Sequence, residues 1–243
     1  MPASAVNLNT DASLIVWYKL NGTTTSAVNS APGGGHAGTL TGGPPTYLPV
    51  GSQKVGGGVA FDRDNSDRIV VADAAALTPA RLTVAFWFNA SDWTNDLTTL
   101  ASKYGASPFP GWAIRWRTTG TKIEAFMRSD AYGFADSGSF TATEAWHHLA
   151  ITYSGTTPGD TSFRLYLDGA MVDSDVTPET NLPDNATDLW IGGDGFDSGG
   201  RYFDGKIADF RLYSRTLSDA EITRLYNMRL QPARTMNHSR NGG

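Results

Sequence analysis

Short runs of alternating apolar and polar residues recur along this chain, each closed by glycine, proline, aspartate or serine, and a period of two predicts β-strands. The clearest runs are Leu14–Leu20, Val59–Phe61, Arg68–Val71, Leu82–Phe88, Thr98–Lys103, Trp112–Arg117 and Lys122–Met127. Four more follow, over Ala145–Tyr153, Arg164–Gly169, Leu189–Gly193 and Phe203–Tyr213. Within Trp112–Arg117, Trp112, Ile114 and Trp116 share one face, and Ala113, Arg115 and Arg117 the other. Asp168-Gly169 predicts a tight type I′ hairpin, whose two central residues need positive φ. The pattern fails over residues 21–58, where Gly33-Gly34-Gly35 and Pro44-Pro45 predict a long loop with one short strand. One helix is expected: Ser218 and Glu221 form a capping box, and Ile222, Leu225 and Tyr226 an apolar stripe ending near Met228. The sum is an all-β antiparallel sandwich with one short C-terminal helix. It spans residues 13–228, between a flexible N-terminal arm (1–12) and a basic, disordered tail (229–243).

Composition narrows the function classes. Hydrophobic residues make up 40 % of the 243 positions, enough for the core of one large sandwich, and 27 glycines and 12 prolines supply its turns. The net charge is −5, but Arg224, Arg229, Arg234 and Arg240 all follow the last acid. Removing these four positive charges leaves −9 on residues 1–223. Such an acidic body argues against a nucleic-acid partner, which needs a basic face. With no cysteine there is no disulfide, thiolate chemistry or zinc–cysteine site. No run of about 18 apolar residues predicts a membrane span. The first eleven residues lack the basic start and apolar core of a secretory signal.

A set of motifs occurs in a telling order: Phe61-Asp62, Thr83-Val84-Ala85-Phe86-Trp87, Trp146-His147-His148, Leu165-Tyr166-Leu167-Asp168-Gly169, Trp190-Ile191-Gly192, Phe203-Asp204-Gly205-Lys206-Ile207-Ala208-Asp209 and Leu217-Ser218-Asp219-Ala220-Glu221-Ile222. This order resembles the laminin-G-like family of concanavalin-A-like jelly rolls, from Leu14 to Tyr226. The resemblance implies an antiparallel jelly-roll β-sandwich that binds rather than catalyses. It also implies a structural Ca²⁺ held by Asn21, Asp62 and Asp209, oxygen donors of the kind calcium prefers. Trp87 and Trp146 are expected as core anchors.

His147 and His148 are neighbours on a strand and point to opposite faces, so they cannot readily share one metal; His147 is expected as a hydrogen-bonded core histidine. Glucan-cleaving relatives of the fold need carboxylates alternating on one strand face, and no such segment exists here. A Gly-x-Ser-x-Gly elbow is also missing. The chain is therefore read as no enzyme. Aromatic and hydrogen-bonding residues in and beside glycine-rich loops suit a sugar or a partner surface. The candidates are Tyr104, Trp112, Trp116, Tyr132, Asp194, Phe196, Asp197, Arg201 and Tyr202.

Three functions are compatible with these observations. The first is a non-catalytic surface module, a bacteriophage virion component such as a capsid decoration or an adhesive appendage, that docks to a protein lattice, binds host glycans or does both. In that setting the arginine-rich tail would pair with an acidic lattice, and homo-oligomers such as trimers would suit the lattice axes. The second is an extracellular carbohydrate-binding or adhesion module of a bacterial enzyme or surface protein. The third is a glycoside hydrolase with an unrecognised site.

Overall fold

The computed structural model describes residues 6–43, 46–49, 56–105, 110–128, 132–140, 144–155, 163–176, 184–195 and 201–228. The first strands are β1 (Leu14–Tyr18), β2 (Ser26–Ala27), β3 (Gly38–Thr41), β4 (Thr46–Leu48), β5 (Gly58–Phe61) and β6 (Arg68–Val71). The middle of the chain forms β7 (Leu82–Ala90), β8 (Thr99–Tyr104), β9 (Gly111–Arg117), β10 (Lys122–Arg128) and β11 (Tyr132–Asp136). Then come β12 (His147–Tyr153), β13 (Phe163–Leu167), β14 (Ala170–Asp175), β15 (Leu189–Ile191), β16 (Gly205–Tyr213) and helix α1 (Asp219–Asn227). They build two antiparallel eight-stranded sheets. One runs β14-β13-β12-β7-β16-β5-β4, with β1 also on β16; the other runs β11-β10-β9-β8-β15-β6-β3-β2.

The sandwich core is built from the inward positions that alternation marked. From the first sheet Val84, Phe86, Phe88 and Phe210 meet Ile69, Trp112, Ile114, Trp116 and Ile123 from the second. Full burial of each aliphatic or phenyl group contributes roughly 1.5–3 kcal/mol. Strand β7 is buried along its whole length because its other face is covered too. There Ala85 joins Leu8, Leu14, Trp17, Tyr166 and Tyr213 beneath Ile222 and Leu225 of α1. Trp87 belongs to this outer layer, stacked on Tyr226 at 5.5 Å between centroids, so it anchors the helix rather than the interior between the sheets. Trp146 is only partly buried beside it.

Two expectations about the N-terminal part change. Residues 21–58 hold three short strands, β2, β3 and β4, rather than one. Each is too short to show alternation, and pairing with β6 and β5 supplies the order that local pattern lacks. The arm is packed where it is described: Leu8 is fully buried, and Asp11 pairs with Arg215. The tail expected over 229–243 lies outside the described residues.

Strand β16 organises the first sheet. Before Ala208 it pairs with β5 through Gly205–Ile207; after a bulge it pairs with β1, with Trp17 opposite Arg211 and Tyr18 opposite Phe210. Asp209 sits in the bulge at φ +51°. Its carboxylate accepts bonds from the Trp17 indole at 2.6 Å and from Arg211 Nε at 3.0 Å. Arg211 is 1 % exposed, and its guanidinium also lies 4.5 Å from the Trp17 ring and bonds Asn9.

The open side of the sandwich is closed by carboxylates. Edge strands β11 and β14 do not share a ladder. Instead, Asp173 accepts from Asp136 N at 2.9 Å and from Ser174 N at 2.8 Å, while Asp175 accepts from Phe134 N at 2.8 Å and from Val176 N at 2.7 Å. Each aspartate thus satisfies one donor on each sheet edge, which blunts both against strand addition. The two-residue hairpin between β13 and β14 has Asp168 at φ +50° and Gly169 at φ +81°, as a type I′ turn requires.

The helix start is as the sequence predicts: Ser218 N donates to Glu221 Oε2 at 2.9 Å and Ser218 Oγ accepts from Glu221 N at 3.4 Å. Glu221 also receives Arg215, and this ion pair draws its pKa from an ordinary 4.5 to about 2. A depressed carboxylate stabilises the fold above its unfolded pKa and loses that contribution as pH falls through the folded one. We expect Glu221→Gln to destabilise the protein by about 1–3 kcal/mol at neutral pH, allowing for partial exposure. The difference from wild type should shrink between pH 4.5 and about 2 in urea titrations. Replacing Asp209 by alanine strands a buried guanidinium and should cost about 3–5 kcal/mol in the same assay.

Candidate functional site

The aromatic residues singled out in the sequence separate into different environments. Trp112 and Trp116 are 1 % and 2 % exposed and belong to the core. Their expected role at a ligand surface is corrected, because the face they share with Ile114 is the inward one. Trp116 donates its indole N–H to Trp93 O at 2.8 Å and packs edge-on to Trp93 at 4.5 Å. The opposite face of β9 is charged, with Arg115 and Arg117 both on Glu124 of β10. Tyr104 is half-buried, edge-on to Phe126 at 5.0 Å. The backbone of Tyr132 pairs with Arg128, but its side chain is outside the described residues, as are Phe196 and Asp197.

The remaining loop candidates hold the loop itself. Asp194 is buried, accepts from Thr99 Oγ1 at 3.2 Å and pairs with Arg201 at 3.4 Å, while Arg201 O accepts from Thr99 N. Its expected place at a ligand is therefore corrected to a brace that pins both ends of residues 194–201 onto β8. Tyr202 and Trp190 flank the Arg68 guanidinium at 5.6 and 4.8 Å. That stack is a half-buried patch, with its cation already covered.

The proposed calcium ligands do not converge. Asn21 lies against Gly57, where an added Cβ would be 3.0 Å from Asn21 Cβ, whereas Asp62 follows the other end of β5. Five residues of extended chain separate these points by about 16 Å. Asp62 caps its own turn, accepting from Asp64 N and Asn65 Nδ2, and Asp209 is neutralised by Arg211. A calcium ion held jointly by these three does not fit this geometry, and among the described residues no cluster of three His, Asp or Glu has metal-binding geometry. The acids that do gather are Asp92 and Asp204 around Arg63. Burial, with repulsion from Asp62 and Asp92, pushes the Asp204 carboxyl upward against the pull of Arg63. His147 is hydrogen-bonded as expected, 2.8 Å from Asp168 through Nδ1 with its ring against Phe140 and Phe88, but it is half-buried at the rim rather than in the core; the buried histidine is His148.

A different place has the form of a binding site. Where β1 ends, the chain passes beside β2 and β4 and leaves an open groove of about 400 Å³. It is lined by Lys19, Asn21, Thr24, Ser26, Ser30 and Tyr47 among others. Leu20 buries its side chain there with its backbone at φ +52°, a conformation that costs a non-glycine residue roughly 1–2 kcal/mol. The Tyr47 hydroxyl donates to Thr24 O at 2.7 Å, so the ring is fixed in the wall. A second hollow of about 240 Å³ beside α1 is smaller than ordinary ligand pockets, and its charged groups are spent: Arg164 on Asp219, Glu221 on Arg215. Sequence reasoning missed the larger groove because its residues are small and polar without a period. The one signal was that a long patternless segment in a compact domain is often functional.

A family model described as the concanavalin A-like lectin/glucanases superfamily, laminin-G type, matches residues 63–223. The chain belongs to this superfamily. No curated protein matches it. Among solved structures of the superfamily fold, the binding domain of Paraclostridial mosquitocidal protein 1 has a TM-score of 0.67 at 16 % identity, over 88 % of this chain and 52 % of that one. Domain 4 of AbnA, a GH43 extracellular arabinanase from Geobacillus stearothermophilus, in complex with arabinotriose, has a TM-score of 0.63 at 20 % identity, over 88 % of this chain and 98 % of that one. A botulinum neurotoxin type C structure, described by its interaction with two ganglioside molecules, has a TM-score of 0.65 at 14 % identity, over 88 % and 51 %. The chain thus spans about half the length of the toxin domains and nearly all of the arabinanase domain. At these identities the likeness is one of fold.

Because Trp116 is a core residue, Trp116→Ala is expected to cost about 3–5 kcal/mol of stability in urea denaturation. A ligand-facing tryptophan would leave the midpoint within about 0.5 kcal/mol of wild type.

Proposed function

We propose that this chain is a carbohydrate-binding module and that the groove between the end of β1, β2 and β4 is where the sugar lies. The observation that carries this reading is the make-up of the groove wall: the hydroxyls of Thr23, Thr24, Ser26 and Ser30, the Asn21 amide and one fixed aromatic ring, Tyr47. Hydroxyl and amide groups exchange hydrogen bonds with sugar hydroxyls, and an aromatic face covers the apolar side of a sugar ring. The volume falls within the range of ordinary ligand sites, about 300–1,000 Å³. The arabinanase domain, alike over nearly its whole length, supports the class of ligand because it is solved with arabinotriose.

Binding rather than bond cleavage is the activity we assign. In the groove no carboxylate lines the wall, so neither a general acid nor a nucleophile for glycoside hydrolysis is present among its described residues. Recognition needs only a surface preorganised by the sheets behind it, and the strained Leu20 and the Tyr47–Thr24 bond supply that.

The test is a thermal melt of the purified protein against a panel of plant, bacterial and animal oligosaccharides, because a ligand that binds only the folded state raises the melting temperature. At least one oligosaccharide is expected to shift it, and Tyr47→Ala should weaken that ligand by about tenfold in calorimetry, the loss of one stacking contact. A panel without any shift, or a shift that Tyr47→Ala leaves intact, would overturn the assignment of the groove.

A further inference from the structure

We infer that the groove selects acidic sugars, with Lys19 as the residue that reads a carboxylate on the saccharide; this rests on the carbohydrate reading above. Among the described residues lining the groove Lys19 is the only charged one, and no described Asp or Glu shares the wall with it. Among the described residues its ammonium makes no ion pair. It lies instead 4.3 Å from the centroid of the Trp17 ring. The carboxylate bonded to that same indole, Asp209, is already neutralised by Arg211.

Among the described residues Lys19 shares the lack of an ion pair with Arg68, Arg81, Lys206 and Arg224, and differs from them in lining this groove. Most of the chain's described cations are matched: Arg63 to Asp92, Lys103 to Asp73, Arg115 to Glu124, Lys122 to Asp136 and Arg215 to both Asp11 and Glu221. The first 223 residues carry −9, a net charge that disfavours the approach of anions. An ammonium without an ion pair, at a groove whose described walls carry no acid, is a local exception to that net charge. The indole contact limits the freedom of the lysine, so less entropy is lost when it bonds a ligand. Hydroxyl and amide donors beside it then supply the hydrogen bonds that a neutral part of the same sugar would need. The chemical class that fits is an oligosaccharide bearing a carboxylate, of the uronic or sialic kind.

The probe is a mixed set of uronate-containing and sialylated oligosaccharides, and the same set after carboxyl reduction, which replaces each carboxylate by a neutral hydroxymethyl group. Calorimetry on the full chain compares wild type, Lys19→Gln and Lys19→Arg. The acidic set is expected to bind about tenfold tighter than the reduced set, the worth of one charged hydrogen bond. Lys19→Gln should abolish that preference with its melting temperature unchanged, and Lys19→Arg should keep it. Preference should also weaken as salt rises. Equal binding of the two sets, or a preference that survives Lys19→Gln, would overturn the inference while leaving carbohydrate binding in place. Binding of neither set would overturn both. Competition by acetate or inorganic phosphate alone at matched concentration would mark a bare anion site and overturn the sugar assignment.

Discussion

A single buried ion pair in a strand bulge sets the geometry on which the rest depends. Strand β16 has two neighbours on one side, β5 along its first part and β1 along its last, and the bulge at Asp209 is where one gives way to the other. Held by Arg211 and the Trp17 indole, Asp209 keeps a left-handed backbone that a regular strand would not tolerate. Just there β1 ends at Tyr18, and Lys19, Leu20 and Asn21 turn away from the sheet into the groove. The bulge thus lies where the β1 wall of the groove begins. The pair is costly to bury and costlier to break, which makes it a device for specifying the local path rather than a simple source of stability.

The architecture was largely legible because its signals are local. Alternation placed Trp112, Ile114 and Trp116 on one face, Asp168-Gly169 announced its turn, and Ser218 with Glu221 announced the helix. What alternation cannot say is which face looks inward. Pattern alone therefore does not separate a ligand-facing Trp112 and Trp116 from buried ones, nor place Trp87 beneath the helix on the outer side of β7. Asp209 is a metal candidate only through the family resemblance; Arg211, two residues on, shares its face by ordinary alternation, but the Trp17 indole that completes the pair lies 192 residues away and no local pattern announces it. The brace formed by Asp194, Arg201 and Thr99 depends on a loop folding back onto a strand about 95 residues away, a long-range fact.

The groove was the least legible element, for a physical reason. Binding walls of hydroxyls, an amide and one aromatic ring leave no hydrophobic period, and threonine and serine are as common in solvated turns. Every residue lining it precedes residue 63, whereas the superfamily match covers 63–223. The residues before 63 nevertheless belong to the sandwich, since β1, β4 and β5 lie in one sheet and β2 and β3 in the other; the proposed recognition surface is therefore made of edge strands and their loops. Such a placement is expected of a fold that hosts many binding functions, since loops and edge strands vary while the core holds them in place.

The central claim is that the sugar lies against residues 19–30 and 46–48. It is tested most directly by two-dimensional ¹H–¹⁵N NMR of the labelled protein titrated with an oligosaccharide that stabilises it. The account predicts shift changes concentrated on the amides of Lys19 to Ser30 and Tyr47, with the bulge at Asp209 as their outer limit. Changes centred instead on Trp190 to Asp204, around the Arg68 stack, would contradict it and move the site to the β6–β15 part of the second sheet.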